Sequence, residues 1–407
     1  MAPGLLEPRP SASRPGPLPL KVLFACPFAP WPLDNGGKTR TFHLIRAASR
    51  NAEIHLHVVR EPDLSPEFEA ALAPYCASIE VHDRSPASLF DRLRRPKIER
   101  WFHSDALTAA MARDIKAGGF DLVHLDELLL ARVPPRPSPL PIVQHHHKLD
   151  TVFHAETARG SSLAVAFDAA KLSALERAST RITRHHVLCS EDDAAILTGR
   201  HGPLQTTIVA NGFDPELFHP PGEDAPPRSP ARILYLGSMD YAPNVDGVVW
   251  FCEEILPRIR ARRPDAVLDI VGGNPAPEVR ALASDAVVVH GRAETVLPAL
   301  HRCALLAVPL RIGGGTRLKI AEALGAATPV VSTTIGAQGL GLRSGEHLLL
   351  ADEPTGFADA CVELLESPEH GGALAAKGRT HALANFTWKV LGERLLGAWE
   401  NARLHPG

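Results

Sequence analysis

Residues 308–333 read Val-Pro-Leu-Arg-Ile-Gly-Gly-Gly-Thr-Arg-Leu-Lys-Ile-Ala-Glu-Ala-Leu-Gly-Ala-Ala-Thr-Pro-Val-Val-Ser-Thr. An apolar run ends at Pro309, three glycines follow, a helix-forming stretch begins near Thr316, and a second apolar run closes the segment. Strand, glycine-rich turn, helix and strand make the repeating unit of a parallel sheet covered by helices. Glycines at such a turn let the backbone approach a ligand closely, and the helix start presents unpaired N–H groups with a partial positive charge. That is an anion site, suited to a diphosphate. Arg317 and Lys319 add cations in the first turn, a placement that costs ~0.3–1 kcal/mol unless an anion offsets it. Lys319 and Glu322 are three residues apart, so they share one helix face. A carboxylate one turn below a phosphate site can accept both hydroxyls of a ribose. The plainer alternative is a glycine-rich turn followed by a solvated charged face.

The same rhythm runs outward in both directions. Upstream, strands are expected at Arg232–Leu236, Ala266–Val271, Val287–His290 and Ala304–Pro309, with Pro329–Thr333 after the quoted helix. Residues 214–231 carry six prolines and can continue neither sheet nor helix, so they read as a linker. Before the linker, strands are expected at Lys21–Cys26, Glu53–Val59, Ile79–His82, Leu122–Leu125, Pro141–His146, His186–Ser190 and Thr207–Ala210. Helical stretches fall at 38–50, 104–117 and 160–183. The expected organisation is a disordered tail (1–19), a first Rossmann-like domain (20–213), the linker (214–231), a second Rossmann-like domain (232–386) and a terminal helix (387–407). Two doubly wound α/β units facing each other make a cleft, with ligands at the carboxyl ends of the strands.

Composition agrees with this and narrows the classes. The chain has 407 residues, too many for one ordinary core, with 45% hydrophobic and 22% charged residues, as in globular proteins. A net charge of −3 gives no reason to expect nucleic acid as a partner. Six scattered cysteines without a CxxC pair indicate neither a zinc site nor a disulfide framework, and read as small buried hydrophobes in a reducing compartment. Residues 1–19 lack the apolar run of a secretory signal, and no stretch has 18 apolar residues in a row. A cytoplasmic protein is expected, which disfavours an exported binding protein. A dinucleotide enzyme should show GxGxxG directly after its first strand. Here Cys26 leads instead into a longer loop, Pro-Phe-Ala-Pro-Trp-Pro-Leu-Asp-Asn-Gly-Gly.

The quoted segment resembles the donor-site signature of glycosyltransferase family 4, the group 1 retaining glycosyltransferases of GT-B fold. It is most similar to the bacterial branch reading GGGTRLKxxEAxAxxxPVVSTxxGAxGL. Gly313 to Glu322, Pro329 to Thr333 and Gly336-Ala337-Gln338-Gly339-Leu340 keep that pattern. Supporting matches are Pro27-Phe28 with Asp34-Asn35-Gly36-Gly37, Arg40-Thr41-Phe42-His43-Leu44, Asn211-Gly212, Gly237-Ser238-Met239 with Pro243-Asn244-Val245-Asp246, and Ile270-Val271-Gly272. The resemblance implies retaining transfer from a nucleoside diphosphate sugar, with uridine as the habitual base, to an acceptor hydroxyl. Gly36 and Gly37 would face the donor phosphates, Glu322 would hold the ribose, and the turn Gly291-Arg292 would meet the base. The family's first glutamate is Gly314 here, a departure the branch shares. Its usual Arg and Lys after the first strand of the second domain are replaced by Ser238, Met239 and Asn244. The phosphate charge is therefore expected on Arg317 and Lys319, beside Gly314, Gly315 and Thr316. A sugar-nucleotide epimerase or a silent nucleotide-sugar-binding subunit are the other functions open to such a chain.

His145-His146-His147 resembles the family's DxHN segment, whose histidine sits beside the reacting sugar. His146 is the expected catalytic residue, with His145 and His147 as neighbours in the alignment. Successive strand residues point to opposite faces, so the three cannot ligate one metal. No Asp-x-Asp occurs in the chain. No metal site and no cofactor besides the nucleotide-sugar co-substrate are expected, and charge on the leaving diphosphate falls to helix N-termini and cations. The acceptor stays open among saccharide, lipid-linked saccharide and aglycone. Finally, 90–103 places five basic residues among Phe90, Leu93, Ile98, Trp101 and Phe102. Such a segment can seat peripherally on the anionic inner face of a membrane, or can be a solvated loop lining the acceptor cleft.

Overall fold

The computed structural model describes residues 19–157, 162–223, 225–313 and 316–404, so the expected tail, apart from Pro19, lies outside the described residues. Strands β1 (Leu20–Cys26), β2 (Ala52–Val59), β3 (Ser78–His82), β4 (Leu122–Asp126), β5 (Ile142–His146), β6 (His185–Leu188) and β7 (Thr206–Ile208) form one sheet in the order β3-β2-β1-β4-β5-β6-β7. Strands β8 (Arg232–Leu236), β9 (Val267–Val271), β10 (Val287–Gly291), β11 (Leu305–Val308), β12 (Val330–Ser332) and β13 (Leu349–Leu350) form a second, ordered β10-β9-β8-β11-β12-β13. Every ladder is parallel. Helices cover both faces of such sheets, which explains why Val22, Leu23, Phe24, Ala25 and Cys26 are all buried in succession. The two-residue β13 carries too little pattern to be read from sequence.

The helices that bear on the site are α1 (Gly36–Ala48), α2 (Leu89–Arg94), α3 (Lys97–Trp101), α4 (Asp150–Thr157), α5 (Leu163–Thr180), α6 (Glu191–His201), α7 (Leu318–Gly325) and α8 (Trp388–Leu404). Helix α7 starts at Leu318 with Arg317 as its N-cap, two residues later than the sequence suggests. The reason is that Thr316 is engaged elsewhere: its Oγ1 accepts from the Asn211 N–H at 2.7 Å and its carbonyl accepts from Asn211 Nδ2 at 2.6 Å. Both sheets reverse strand order at one place, between β1 and β4 in the first and between β8 and β11 in the second. The crevices of a doubly wound sheet lie outside the carboxyl ends of strands at these reversals.

Helix α8 follows the second sheet in sequence yet packs on the first domain. A Cβ at Gly392 would come within 2.5 Å of Ala47 Cβ on α1, so only glycine allows this approach. Trp399 is fully buried and its Nε1 donates to His124 Nδ1 at 3.0 Å, while Trp388 stacks on His43 with 5.0 Å between ring centroids. The outgoing and returning chains meet where the Phe213 N–H donates to Phe386 O at 2.9 Å and the Trp388 N–H donates to Phe213 O at 3.2 Å. Among the described residues no helix is long and apolar enough to cross a membrane.

Overpacking a close helix crossing costs about 1–3 kcal/mol. Gly392→Val is therefore expected to lower the thermal unfolding midpoint of the chain. An unchanged midpoint would show that the α1–α8 contact contributes nothing to stability.

Candidate active site

The first domain's contribution begins with a carboxylate at the β1/β4 reversal. Asp126 ends β4 and is fully buried. It accepts from Thr41 Oγ1 at 2.6 Å and His147 Nε2 at 2.9 Å, and lies 3.1 Å from His145 Nδ1 and 3.5 Å from Cys26 Sγ. Burial alone would raise its pKa, but the charge on His147 and the two histidine hydrogen bonds hold it well below the usual carboxylate range.

Arg40 of α1 sets the state of His145. Its guanidinium directs Nη2 (2.7 Å) and Nε (3.3 Å) at His145 Nε2, and also donates to the carbonyls of Val209 and Ala210. A guanidinium can only donate, so Nε2 accepts and the proton of neutral His145 sits on Nδ1, towards Asp126. Burial and the Arg40 charge keep His145 well below the ordinary imidazole range. His147 is the opposite case. Burial would lower its pKa, but Asp126 and Glu127, whose Oε1 lies 3.2 Å from Nδ1, raise it. Glu127 reaches that position with φ 93°, a left-handed conformation that costs a non-glycine residue about 1–3 kcal/mol. Gly37 opens α1 directly opposite: a Cβ there would lie 3.7 Å from His147 Nδ1. Gly36 beside it has open space.

His146 faces away. Strand alternation turns it to the other side of the sheet, where it is buried, pairs its Nε2 with His186 Nδ1 at 3.1 Å, and is pushed down to about 4 by burial. The histidine at the cleft is therefore His147, and the expectation for His146 is corrected by one residue.

The second domain's contribution sits at the β8/β11 reversal. Asn244 Nδ2 donates to Ser238 O at 2.9 Å, and Lys319 Nζ donates to Asn244 Oδ1 at 2.9 Å while lying 5.1 Å from the Tyr235 ring centroid. Burial and the Arg317 charge push Lys319 down to about 7, against the pull of Glu322. Burial pushes Glu322 up to about 7, against the pull of Lys319. Arg317, lowered by burial, feels Tyr241, Glu156 of α4 and Asp193 of α6, groups from both domains. The loops after β8, β9 and β10 are stitched by Gly237 N–H to Val271 O (3.2 Å) and Gly272 N–H to Gly291 O (2.8 Å), which brings Gly291 and exposed Arg292 to the same rim. Met239 does not line the cleft; it is fully buried among Ile233, Tyr235 and Ile270. Gly314 and Gly315 lie outside the described residues.

The domains touch across this cleft. Asn211 holds Thr316 as described, Phe153 of α4 stacks on Tyr241 with 6.2 Å between centroids, and a Cβ at Gly339 would fall 2.4 Å from Ser190 Cβ. Asp126 and Glu127 were not singled out by sequence reasoning, and Arg40 entered there only as part of a supporting match, without a role. The signal for the two acids was their place just after a buried strand at an order reversal, which needs the sheet order to be seen. Two groups of described residues could offer three metal ligands, His57/Glu80/His82 at the outer edge of the first sheet and His124/Asp126/His145 beneath the cleft. In the second, Arg40 already occupies His145 Nε2 and Trp399 occupies His124 Nδ1, and the guanidinium beside it opposes a cation.

A raised histidine pKa contributes stability that is complete below the unfolded value of about 6.5 and is lost as pH rises through the folded value. The gap in unfolding midpoint between the wild type and His147→Gln should therefore be widest on the acid side and narrow as pH rises. A gap independent of pH would mean that His147 is neutral.

Residues 230–367 match the family model for Glycosyl transferases group 1. A glycogen synthase of Mycobacterium tuberculosis is 24% identical over 285 residues, covering 67% of this chain and 66% of that protein. A GDP-mannose-dependent monoacylated alpha-(1-6)-phosphatidylinositol monomannoside mannosyltransferase of Corynebacterium glutamicum is 31% identical over 153 residues, 34% of this chain and 40% of the relative. The matched stretch thus spans just under two thirds of the first relative's length and two fifths of the second's. Among solved structures, Anabaena Alr3699/HepE in complex with UDP and glucose superposes with a TM-score of 0.66 at 16% identity, covering 93% of this chain and 98% of that one. Sucrose-phosphate synthase of Thermosynechococcus elongatus gives 0.69 at 19% identity, covering 94% and 98%. The fold is GT-B, and its second domain is the part that matches the group 1 glycosyltransferases.

Proposed function

We propose that the chain transfers a sugar from a nucleoside diphosphate sugar, with uridine as base, to an acceptor hydroxyl with retention of configuration. The observation that carries this reading is the pair on α7. Lys319 and Glu322 stand on successive turns behind the helix start, burial drives both towards their neutral forms, and the Glu322 carboxylate accepts no hydrogen bond among the described residues. A cation and a carboxylate held this way are incomplete without a ligand that carries negative charge at one end and hydroxyls at the other. A nucleoside diphosphate does. Lys319, Arg317 and the first N–H groups of α7 would meet the diphosphate, Glu322 the ribose, and the Gly291–Arg292 rim the base.

The acceptor side follows from charge. Asp126 and Glu127 raise the pKa of His147, which lies beside Gly37 with each ring nitrogen on one of the two carboxylates. Positive charge there would act through space on the diphosphate as charge builds on the leaving oxygen. Preference for uridine is supported by the UDP complex of Alr3699/HepE. Retention rests on the resemblance to family 4. The nucleotide sugar is a co-substrate, and no further cofactor enters this reading.

Two measurements test it. Glu322→Ala leaves two ribose hydroxyls unpartnered, and charged hydrogen bonds are each worth about 1.5–3 kcal/mol. Calorimetric titration with UDP should show affinity weakened by roughly that amount; equal affinity would remove Glu322 from the site. With cations and a helix start taking the leaving charge, release of UDP from the donor should persist within about twofold in excess chelator. Abolition by chelator and recovery with divalent metal would overturn the metal-independent part of the reading, and UDP binding with no turnover on any acceptor would favour a silent binding subunit.

A further inference from the structure

We propose that α2, α3 and the start of α5 form one surface that docks on an anionic lipid bilayer. The large apolar side chains exposed among the described residues are concentrated here. Leu89, Phe90, Leu93, Ile98, Trp101, Leu163 and Phe167 account for seven of the thirteen, with Phe90 61%, Trp101 60% and Leu163 90% exposed. Single exposed apolar residues need no explanation, but a concentration on three neighbouring helices does.

The three helices form one unit. The Lys97 N–H donates to Asp168 Oδ1 at 2.8 Å, and Lys171 Nζ of α5 donates to the carbonyls of Arg92 and Arg95, both at 3.2 Å. Phe167 of α5, whose ring centroid lies 4.7 Å from Lys171 Nζ, is thereby held near α2 and α3, and Leu163 is exposed one turn before it. Charge identifies the occupant. The two acids of this segment, Asp91 and Glu99, are both taken by Arg95 (2.8 and 2.5 Å), and Glu99 also by Arg132. No carboxylate among the described residues pairs with Arg92, Arg94 or Lys97, all exposed. The Arg94 guanidinium lies 4.8 Å from the Phe90 ring centroid and that of Arg84 lies 5.0 Å from Trp101. Aromatic rings carrying cations at the edge of an apolar surface match the headgroup level of an anionic bilayer, where tails take the apolar groups and phosphates the cations.

The surface also adjoins the cleft. Asp168, which holds Lys97, lies 3.8 Å from His154 of α4, and α4 carries the Phe153 that stacks on Tyr241. A docked molecule would hold the mouth of the cleft one helix away from the lipid.

Co-sedimentation with vesicles tests the surface without relying on transferase activity. The wild type should bind phosphatidylglycerol-containing vesicles at low salt, release at high salt, and ignore phosphatidylcholine vesicles. The triple variant Arg92→Gln, Arg94→Gln, Lys97→Gln should lose binding on the order of a hundredfold, at about 1 kcal/mol per charge near the surface. Leu93→Ser with Trp101→Ser should lose it as well, and each variant's thermal unfolding midpoint should match the wild type, which separates lost docking from lost folding. Failure of the wild type to bind anionic vesicles, equal binding to neutral ones, or unchanged binding by both folded variants would each overturn the proposal.

Discussion

A fully buried carboxylate has to be met by donors on every side, and Asp126 gathers the first half of the cleft for that reason. Its partners come from three different elements: Thr41 from α1, Cys26 from β1, and His145 and His147 from β5 and the residue beyond it. Satisfying one charge therefore fixes the separation of β1, β4 and β5 at their carboxyl ends. It also sorts two neighbouring histidines into opposite roles. Arg40 makes His145 an acceptor on one nitrogen and, with burial, holds its pKa down, while Asp126 and then Glu127 raise the pKa of His147. The strained φ of Glu127 is what brings that second carboxylate into place.

The second domain solves the complementary problem with less internal compensation. Lys319 has Asn244 and the face of Tyr235, and among the described residues Lys319 is the one charge acting on Glu322. Domain one thus presents a charge state settled within the protein, and domain two presents groups poised near neutrality whose balance a ligand can tip. That asymmetry leaves one wall of the cleft balanced within the protein and the other open to completion by what binds.

Much of this was legible beforehand because it rests on periodicity. Twelve of the thirteen strands lie at or within two residues of the ranges that apolar runs suggested, since parallel strands buried on both faces leave a continuous signal. Alternation along β5 also announced that the three histidines would not share a face. It did not say which face was the cleft, because that depends on β4 and β6 lying beside β5, and the choice of His146 failed on that point. Met239 misled in the same way: the loop position was right, but its side chain turns into the core. Asp126 and Glu127 were invisible for a different reason. A carboxylate pair after a strand looks like any surface turn until the sheet order puts it at a reversal.

The crossing at Phe213, Phe386 and Trp388 gives the molecule the mechanics of a pair of jaws with a single pin. Both chain segments joining the domains pass through it and are tied to each other by main-chain hydrogen bonds. Sliding or separation of the halves would break those ties, so rotation about the pin is the motion they leave free. Phe213 also packs against Gly325 at the far end of α7. That helix, eight residues long, spans roughly 12 Å from Gly325 towards Lys319, and its start is tied to Asn211 through Thr316. A turn of about ten degrees at the crossing would carry the cation ~2 Å, about the difference between a hydrogen bond to a phosphate oxygen and none, and would have to break those two ties.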